Sequence, residues 1–431
     1  MTVINRRTIL QGAVAGAAML PAAALRAAPA PASIRAGGVA RDEAYWAEIA
    51  AQYDVTDAVI QLENGNWGMM SRPVLAAYQQ MVAKVNRDSS FYARRGMGTD
   101  MVAVQDRLAG FLGVERDEIV LTRNATEALK ALIGGYNRIR PGQAALYADL
   151  DYDSMQASLE SAMTRRGART IRIALPEPAT WQNVIDAYAQ AFEAHPEIKL
   201  VLLTHISHRT GLKIPVREIA ALARVRGIDV IVDAAHSLGQ VDFEIAGLGA
   251  DFVGLNLHKW MGAPLGVGAA YIRKGRVSAI DPDIADENPG SGSIRSRVHT
   301  GTVDYAASLT LPAALDFQAR IGAPAREARL RALRDRWVGQ LRDLPGIQVL
   351  TPDDSRMHGG ITSFRLAGRT SEAGNRALAA TLLDRFGIFT VHRTGLASGA
   401  CVRVTPALFN SMADVDALAD APRQIATAGT S

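Results

Sequence analysis

A lysine, an aspartate, a threonine and a tyrosine, far apart in the chain, each stand just beyond an apolar run that reads as a β-strand. Lys259 follows Phe252-Val253-Gly254-Leu255 in the string Asn256-Leu257-His258-Lys259-Trp260-Met261-Gly262. An amine among apolar and aromatic neighbours loses ammonium solvation, so its pKa falls and the free base can attack a carbonyl carbon. Asp233 ends Asp229-Val230-Ile231-Val232. A carboxylate there, close to a cationic ring nitrogen, stays ionised and keeps that nitrogen protonated. Asn124-Ala125-Thr126-Glu127 lies at a strand-to-helix junction, where free N–H groups, the helix dipole and the Thr126 hydroxyl can hold a phosphate. Tyr152 follows the strand ending near Leu150 and offers a flat ring for stacking. An imine-forming amine, an acid for a ring nitrogen, an anion cradle and a stacking face are together what pyridoxal 5′-phosphate (PLP) asks of a protein.

Each residue alone has a plainer reading. Asp233 can cap the next helix, and Asn124 and Thr126 are good N-caps in their own right. Lys259 can be a solvated loop lysine, and Tyr152 an ordinary surface or core tyrosine. The order and spacing of the four carry the case.

The elements that must position them follow from hydrophobic periodicity. Arg41 to Tyr53, Val74 to Val85 and Met101 to Leu112 read as helices, with a turn-rich loop at Leu62-Glu63-Asn64-Gly65-Asn66-Trp67-Gly68. From Glu118 onward short strands alternate with helices. The strands are Ile119 to Thr122, Ala144 to Ala148, Thr170 to Ile173, Lys199 to Thr204, Asp229 to Val232, Asp251 to Leu255 and Val267 to Ile272. The helices are Ala125 to Ile133, Ser154 to Thr164 and Pro215 to Arg226. Such alternation implies an α/β fold with a mostly parallel sheet covered on both faces, whose ligands bind beyond the carboxyl ends of the strands. Two long helices follow, Leu309 to Ile321 and Arg326 to Leu344, and then strands at Gly360 to Arg365, Ile388 to His392 and Cys401 to Thr405. The expected division is a leader over residues 1–32, an N-terminal arm and large domain over 33–310, and a small α+β domain over 311–431.

The string Asn124-Ala125-Thr126-Glu127, then Tyr152, then Ser207-His208-Arg209-Thr210-Gly211 with Pro215, then Asp233-Ala234-Ala235-His236, then His258-Lys259, resembles class V aminotransferases. Asn64-Gly65, and Gly301-Thr302 followed by Asp304-Tyr305, extend the likeness to the isopenicillin N epimerase-like branch. It covers about Leu62 to Leu418. Cysteine desulfurases resemble it more distantly. The resemblance implies a PLP-dependent transferase of fold type I, aspartate aminotransferase-like, with a seven-stranded sheet. It implies that Lys259 holds the cofactor as a Schiff base and shuttles the α-proton, while Asp233 pairs with the pyridine N–H. His236 would lie near the phenolic oxygen. Thr126 and the Ala125 backbone would bind phosphate, joined by Asn256 and His258, and Tyr152 would stack. Thr302 would reach the phosphate of a second subunit in a homodimer, and Arg403 would clamp a substrate carboxylate through two charged hydrogen bonds. A lone strand arginine is also a common salt-bridge partner. His208 departs from the asparagine that many relatives place there, which puts transfer of reaction type in doubt. Asp151-Tyr152-Asp153 places carboxylates at the ring face, as a preference for a cationic substrate group or as a solvated turn.

The amino terminus carries Asn5-Arg6-Arg7-Thr8-Ile9-Leu10 and an Ala/Gly-rich run from Gly12 to Leu25. This resembles a twin-arginine (Tat) signal, a receptor-read address for export; a disordered Ala-rich tail is the plainer reading. The run is too short and too poor in Leu and Ile for a comfortable membrane span. A periplasmic location follows as an expectation. A Tat-exported branch of the resembling family, which matures the siderophore pyoverdine, is the comparison it suggests.

Hydrophobic residues make up 48% and charged residues 21%, enough for a large buried core. The net charge of +4 comes from acids and bases mixed along the chain, so no nucleic-acid patch is read. One cysteine, Cys401, excludes an intramolecular disulfide and a Cys-based metal cluster. No Gly-x-Gly-x-x-Gly or Gly-x-Ser-x-Gly pattern supports a dinucleotide domain or a hydrolase elbow. The leading expectation is therefore an enzyme acting at the α-carbon of an amino acid or a peptide-borne amino group. The alternatives are a non-catalytic descendant that keeps the PLP fold for binding, and a C–S lyase of cysteine desulfurase type. Arginines Arg94, Arg95, Arg295 and Arg297, in the stretches Phe91 to Thr99 and Ser291 to Thr300, are expected on pocket-lining loops.

Overall fold

Strands that are apolar at every position must be covered on both faces, and the computed structural model, which describes residues 36–428, provides that cover. The leader expected over residues 1–32 lies outside the described residues. The arm comprises α1 (Ala36–Val39), α2 (Glu43–Ala50), β1 (Ile60–Gln61), α3 (Arg72–Arg95) and α4 (Met97–Leu112). The alternating region runs β2 (Ile119–Thr122), α5 (Ala125–Gly135), β3 (Ala144–Ala148), α6 (Asp153–Arg165), β4 (Arg169–Ile173), α7 (Trp181–Ala194), β5 (Ile198–Thr204), α8 (Val216–Arg224), β6 (Asp229–Asp233), β7 (Phe252–Asn256) and β8 (Gly268–Ile272). The last part contains α9 (Tyr305–Ile321), α10 (Ala323–Leu341), β9 (Ile347–Val349), β10 (Thr362–Leu366), α11 (Glu372–Phe386), β11 (Ile388–Phe389), β12 (Val391–Arg393), β13 (Cys401–Val404) and α12 (Met412–Ala428).

The large sheet has seven strands in the order β2-β8-β7-β6-β5-β3-β4. All neighbours are parallel except β8, which runs against both β2 and β7. Side chains alternate between two cores. Val230 and Val232, Val253 and Leu255, and Ala269 and Tyr271 enter one core. Ile231, Phe252, Ala270 and Ile272 enter the other, against Ala128, Leu129, Leu132 and Ile133 of α5. The i, i+1, i+4, i+5 spacing of those α5 residues forms one helical stripe. Glycines let α5 lie close to the sheet: a Cβ on Gly254 would sit 2.5 Å from Leu129, and one on Gly268 would sit 2.6 Å from the Asn124 backbone.

A second, four-stranded antiparallel sheet (β12-β13-β10-β9) packs with α10, α11 and α12 around Trp337, Phe364, Leu382, Val402 and Leu418. The border expected near Leu311 falls inside α9, which sends Ala307, Leu311, Ala314 and Leu315 into the first core. The strand expected over Ile388 to His392 is two strands. β11 pairs with β1, and after Thr390 the chain changes sheets so that β12 pairs with β13. α7, β1 and β9 have no counterpart in the sequence reading. Among the described residues no helix is long and apolar enough to cross a membrane.

Candidate active site

Period-two alternation selects the residues at the carboxyl end of the sheet. Asp233 shares the face of Ile231, Asn256 that of Phe252, and Thr204 that of Leu202, so all three point to the α5 side. There they line a cavity of about 460 Å3, beyond the strand ends where such sheets bind ligands. Ten of the eleven anticipated site residues line it: Ala125, Thr126, Tyr152, His208, Asp233, His236, Asn256, His258, Lys259 and Arg403. Thr302 is exposed and does not line its own chain's cavity.

At one end is Asp233, buried, with Oδ1 accepting from the Ala235 N–H at 2.9 Å. That bond is the helix-cap reading in reduced form, a turn bond two residues on. Burial raises the Asp233 pKa, and the nearby Lys259 charge opposes the rise. A buried carboxylate compensated this weakly fits a protonated ring nitrogen. Lys259 is partly buried rather than solvated, and its Nζ lies 3.0 Å from His236 Nε2. Burial, and then the positive charge of Arg403, draw its pKa down to about 8, while Asp233 and Glu63 oppose the fall.

The α5 N-terminus borders the same space. Asn124 Oδ1 accepts from the Glu127 N–H at 2.8 Å, so the N-cap reading also holds. Asn256 Oδ1, from β7, accepts from the Ala125 N–H at 2.8 Å and ties the helix start to the strand that leads to Lys259. The Thr126 N–H has no acceptor among the described residues. With its hydroxyl and the helix dipole, that free donor fits a phosphate. His258 Nδ1 is 3.1 Å from the Val267 carbonyl.

Tyr152 is more than a third exposed and meets His208 edge to face, ring centroids 5.0 Å apart. Burial draws the His208 pKa down to about 4, and its Nδ1 is buried without a hydrogen-bond partner among the described residues. Of the two carboxylates beside Tyr152, one is withdrawn from the cavity and the other faces it. Asp151 turns inward and accepts from the Ala148 N–H at 2.7 Å and the Thr204 N–H at 2.9 Å. Asp153 lines the cavity but pairs with Arg209.

Sequence reasoning missed Glu63 and Arg393. Arg403 is fully buried; its Nη1 donates to the His208 carbonyl at 2.6 Å, and its Nη2 to Glu63 Oε1 at 2.5 Å. Arg393 Nη2 lies 3.5 Å from the same Glu63 oxygen. Two guanidiniums therefore share one carboxylate beside the cavity. Nothing local signals these contacts, since Glu63 and Arg403 are 340 positions apart. Glu63 belongs to the turn-rich loop, which lies directly on the site. A Cβ on Gly65 would sit 2.6 Å from Arg403 Nη2, and one on Gly68 would sit 1.8 Å from the Lys259 carbonyl oxygen.

The four loop arginines do not line the cavity of their own chain, which corrects that expectation. Arg94 and Arg95 are exposed in the last turn of α3, in a stretch that is helical rather than loop. Arg295 donates to Gln105, and Arg297 is buried against Val277 and Ser296. Cys401 is buried in β13 outside the cavity, and burial pushes its thiol up to about 11.

The aminotransferase class-V family model matches residues 70–418. Isopenicillin N epimerase of Streptomyces clavuligerus is 28% identical over 395 residues, spanning 87% of this chain and 97% of that protein. A probable chloroplastic L-cysteine desulfhydrase of Arabidopsis thaliana is 28% identical over 273 residues, 60% of this chain and 58% of that one. Among solved structures, the Escherichia coli cysteine desulfurase CsdA superposes with a TM-score of 0.74 at 22% identity, covering 88% of this chain and 98% of that one. A C-DES variant with glycine covalently linked to its PLP cofactor gives 0.74 at 22% identity, covering 86% and 97%.

Proposed function

The chain belongs to the class V aminotransferase family, and on that premise we propose that this PLP-dependent enzyme acts at the α-carbon of an amino acid or of a peptide-borne amino group. One observation carries the reading: an amine of lowered pKa, a buried acid and a helix N-terminus with a free donor share one cavity. When bound, PLP supplies an electrophilic aldehyde carbon and a ring that accepts electrons from a substrate carbanion.

The residues divide the remaining work. Lys259 Nζ would hold the cofactor through its aldehyde carbon, and as a free amine beside the substrate it would carry the α-proton. Asp233 would keep the pyridine nitrogen protonated. Thr126, through its hydroxyl and its free N–H, would hold the phosphate together with His258; the Ala125 N–H, expected to share that role, is instead taken by Asn256 Oδ1, which fixes the helix start. Tyr152 would stack on the cofactor ring, and His208 and His236 would lie near its phenolic oxygen. Arg403 and Arg393 hold one positive charge beyond what Glu63 neutralises, which suits a substrate carboxylate. Thr302, exposed at the surface, fits the phosphate site of a second subunit in a homodimer.

Lys259→Ala tests the assignment. The purified variant is expected to lose the visible absorbance of the bound cofactor and its sensitivity to borohydride; a variant that keeps both refutes it. C–S bond cleavage is the second reading, favoured by the desulfhydrase relatives. Sulfide released from cysteine would select it, whereas persulfide transfer through Cys401 is disfavoured by burial of that thiol. We further propose export by the Tat route, supported by Asn5-Arg6-Arg7-Thr8-Ile9-Leu10, with an extracytoplasmic metabolite such as a siderophore side chain as substrate. Fractionation of Arg6→Lys/Arg7→Lys tests it: the variant should stay in the cytoplasm, and an exported variant refutes the route.

A further inference from the structure

His236 lies between two nitrogen donors. Trp260 Nε1 donates to His236 Nδ1 at 3.3 Å, and Lys259 Nζ is 3.0 Å from His236 Nε2. An indole nitrogen can only donate. His236 Nδ1 must therefore present its lone pair, and in a neutral imidazole the ring proton then sits on Nε2. That proton points at Lys259 Nζ, which can accept it only as an uncharged amine. An ammonium at Lys259 has no lone pair to offer and would break one of the two contacts.

We propose that Trp260 is a positioning residue that fixes the Nε2–H tautomer of His236 and thereby keeps the Lys259 amine in its nucleophilic, uncharged form. The ring is held for this task. The His236 carbonyl accepts from Gln240 Nε2 at 2.5 Å, and Gln240 Oε1 accepts from the Gly360 N–H at 2.9 Å. Gly239, at φ +89°, brings its loop against Trp260, where a Cβ would sit 2.7 Å from the Trp260 backbone. The charges that face Lys259 are Asp233 and Glu63, which favour the ammonium, and Arg403 and Arg393, which oppose it; His208 also faces His236. Burial lowers the pKa of both Lys259 and His236, in the direction the hydrogen bonds require.

Two measurements on the full chain test this. In the first, PLP is added to protein freed of cofactor, and the growth of visible absorbance is followed against pH. The Lys259 lone pair adds to the aldehyde carbon, and the aldehyde oxygen leaves as water. The wild-type rate should rise with a midpoint at or below about 8. Trp260→Phe lets the imidazole take the other tautomer and accept from an ammonium. Its midpoint should rise by about one unit, making capture roughly tenfold slower at pH 7 with an unchanged plateau. Superimposable profiles overturn the proposal.

The second measurement needs no folded variant. Histidine nitrogen NMR of the wild-type chain should show His236 protonated at Nε2 alone near pH 9, above the Lys259 midpoint, and a proton on Nδ1 overturns the proposal. The rate measurement rests on Lys259 being the cofactor lysine, whereas the tautomer does not. If capture survives Lys259→Ala, the lysine assignment has failed. If Lys259 is required and Trp260→Phe changes nothing, the relay has failed.

Discussion

Glu63→Gln isolates the electrostatics of the cavity wall. The glutamine keeps the shape of the side chain and one acceptor oxygen, but removes the charge shared by Arg403 and Arg393. The Arg403 and Glu63 side chains are 1% and 7% exposed and 2.5 Å apart, and Arg393 is 3.5 Å away and 27% exposed. Removing one partner of a buried pair leaves an uncompensated charge and costs roughly 3–5 kcal/mol. Over about 390 described residues, an unfolding entropy of roughly 2.1 cal/mol/K per residue converts that to a fall in Tm of about 4–6 °C. Scanning calorimetry of the cofactor-free protein is the assay. Two further signs distinguish this from general damage. Acetate should restore more stability to Glu63→Gln than to wild type, because an anion replaces the missing charge. Glu63 also favours the Lys259 ammonium, so the variant should capture PLP faster near pH 7. A Tm change under about 1 °C, less than 1 kcal/mol on the same scale, would refute the reasoning.

Asp233→Asn should act in opposite directions with and without cofactor. Burial raises the Asp233 pKa, so the native state binds more protons than the unfolded chain. Its contribution is present below the ordinary carboxylate range and is lost as pH rises through the folded value. Urea titrations of cofactor-free protein should therefore show the variant gaining on wild type as pH rises above the ordinary carboxylate range, while PLP affinity falls roughly tenfold or more with the lost charged bond; unchanged PLP affinity would count against the assigned role. Gly68→Ala puts a Cβ 1.8 Å from the Lys259 carbonyl oxygen, where the Gly68 N–H also donates to the His258 carbonyl at 2.8 Å. An overpacking cost of about 1–3 kcal/mol should appear as a lower Tm and faster loss of PLP on dialysis, and wild-type retention would contradict the packing described. Cys401, with its thiol pushed up to about 11, should resist a disulfide reagent until the protein unfolds, and rapid reaction of the folded enzyme would reopen persulfide chemistry.

The sheet was legible because its strands are short, apolar at nearly every position and bounded by helical stripes. Alternation along β6 and β7 then decides on which side Asp233 and Asn256 project. The cap and cofactor readings of Asn124 and Asp233 proved compatible, since each side chain makes its local turn or cap bond while lining the cavity. β1 and β9, two and three residues long, carry too little pattern to read. α7 was legible in retrospect, because Thr180 and Asn183 form a reciprocal cap after Pro176-Glu177-Pro178. The Glu63 contacts and the Trp260–His236–Lys259 relay depend on tertiary convergence that periodicity does not encode. Asp151 shows the same limit: a carboxylate beside a turn reads as solvated until the ends of β3 and β5 are seen to claim both its oxygens.

The most direct test of the account is to reduce the purified, PLP-loaded protein with borohydride, digest it and locate the cofactor-bearing peptide by mass spectrometry. The account predicts the modified lysine within Asn256-Leu257-His258-Lys259-Trp260, with the adduct on Lys259. An adduct on any other lysine, or none at all from protein that shows the cofactor's colour, would contradict it.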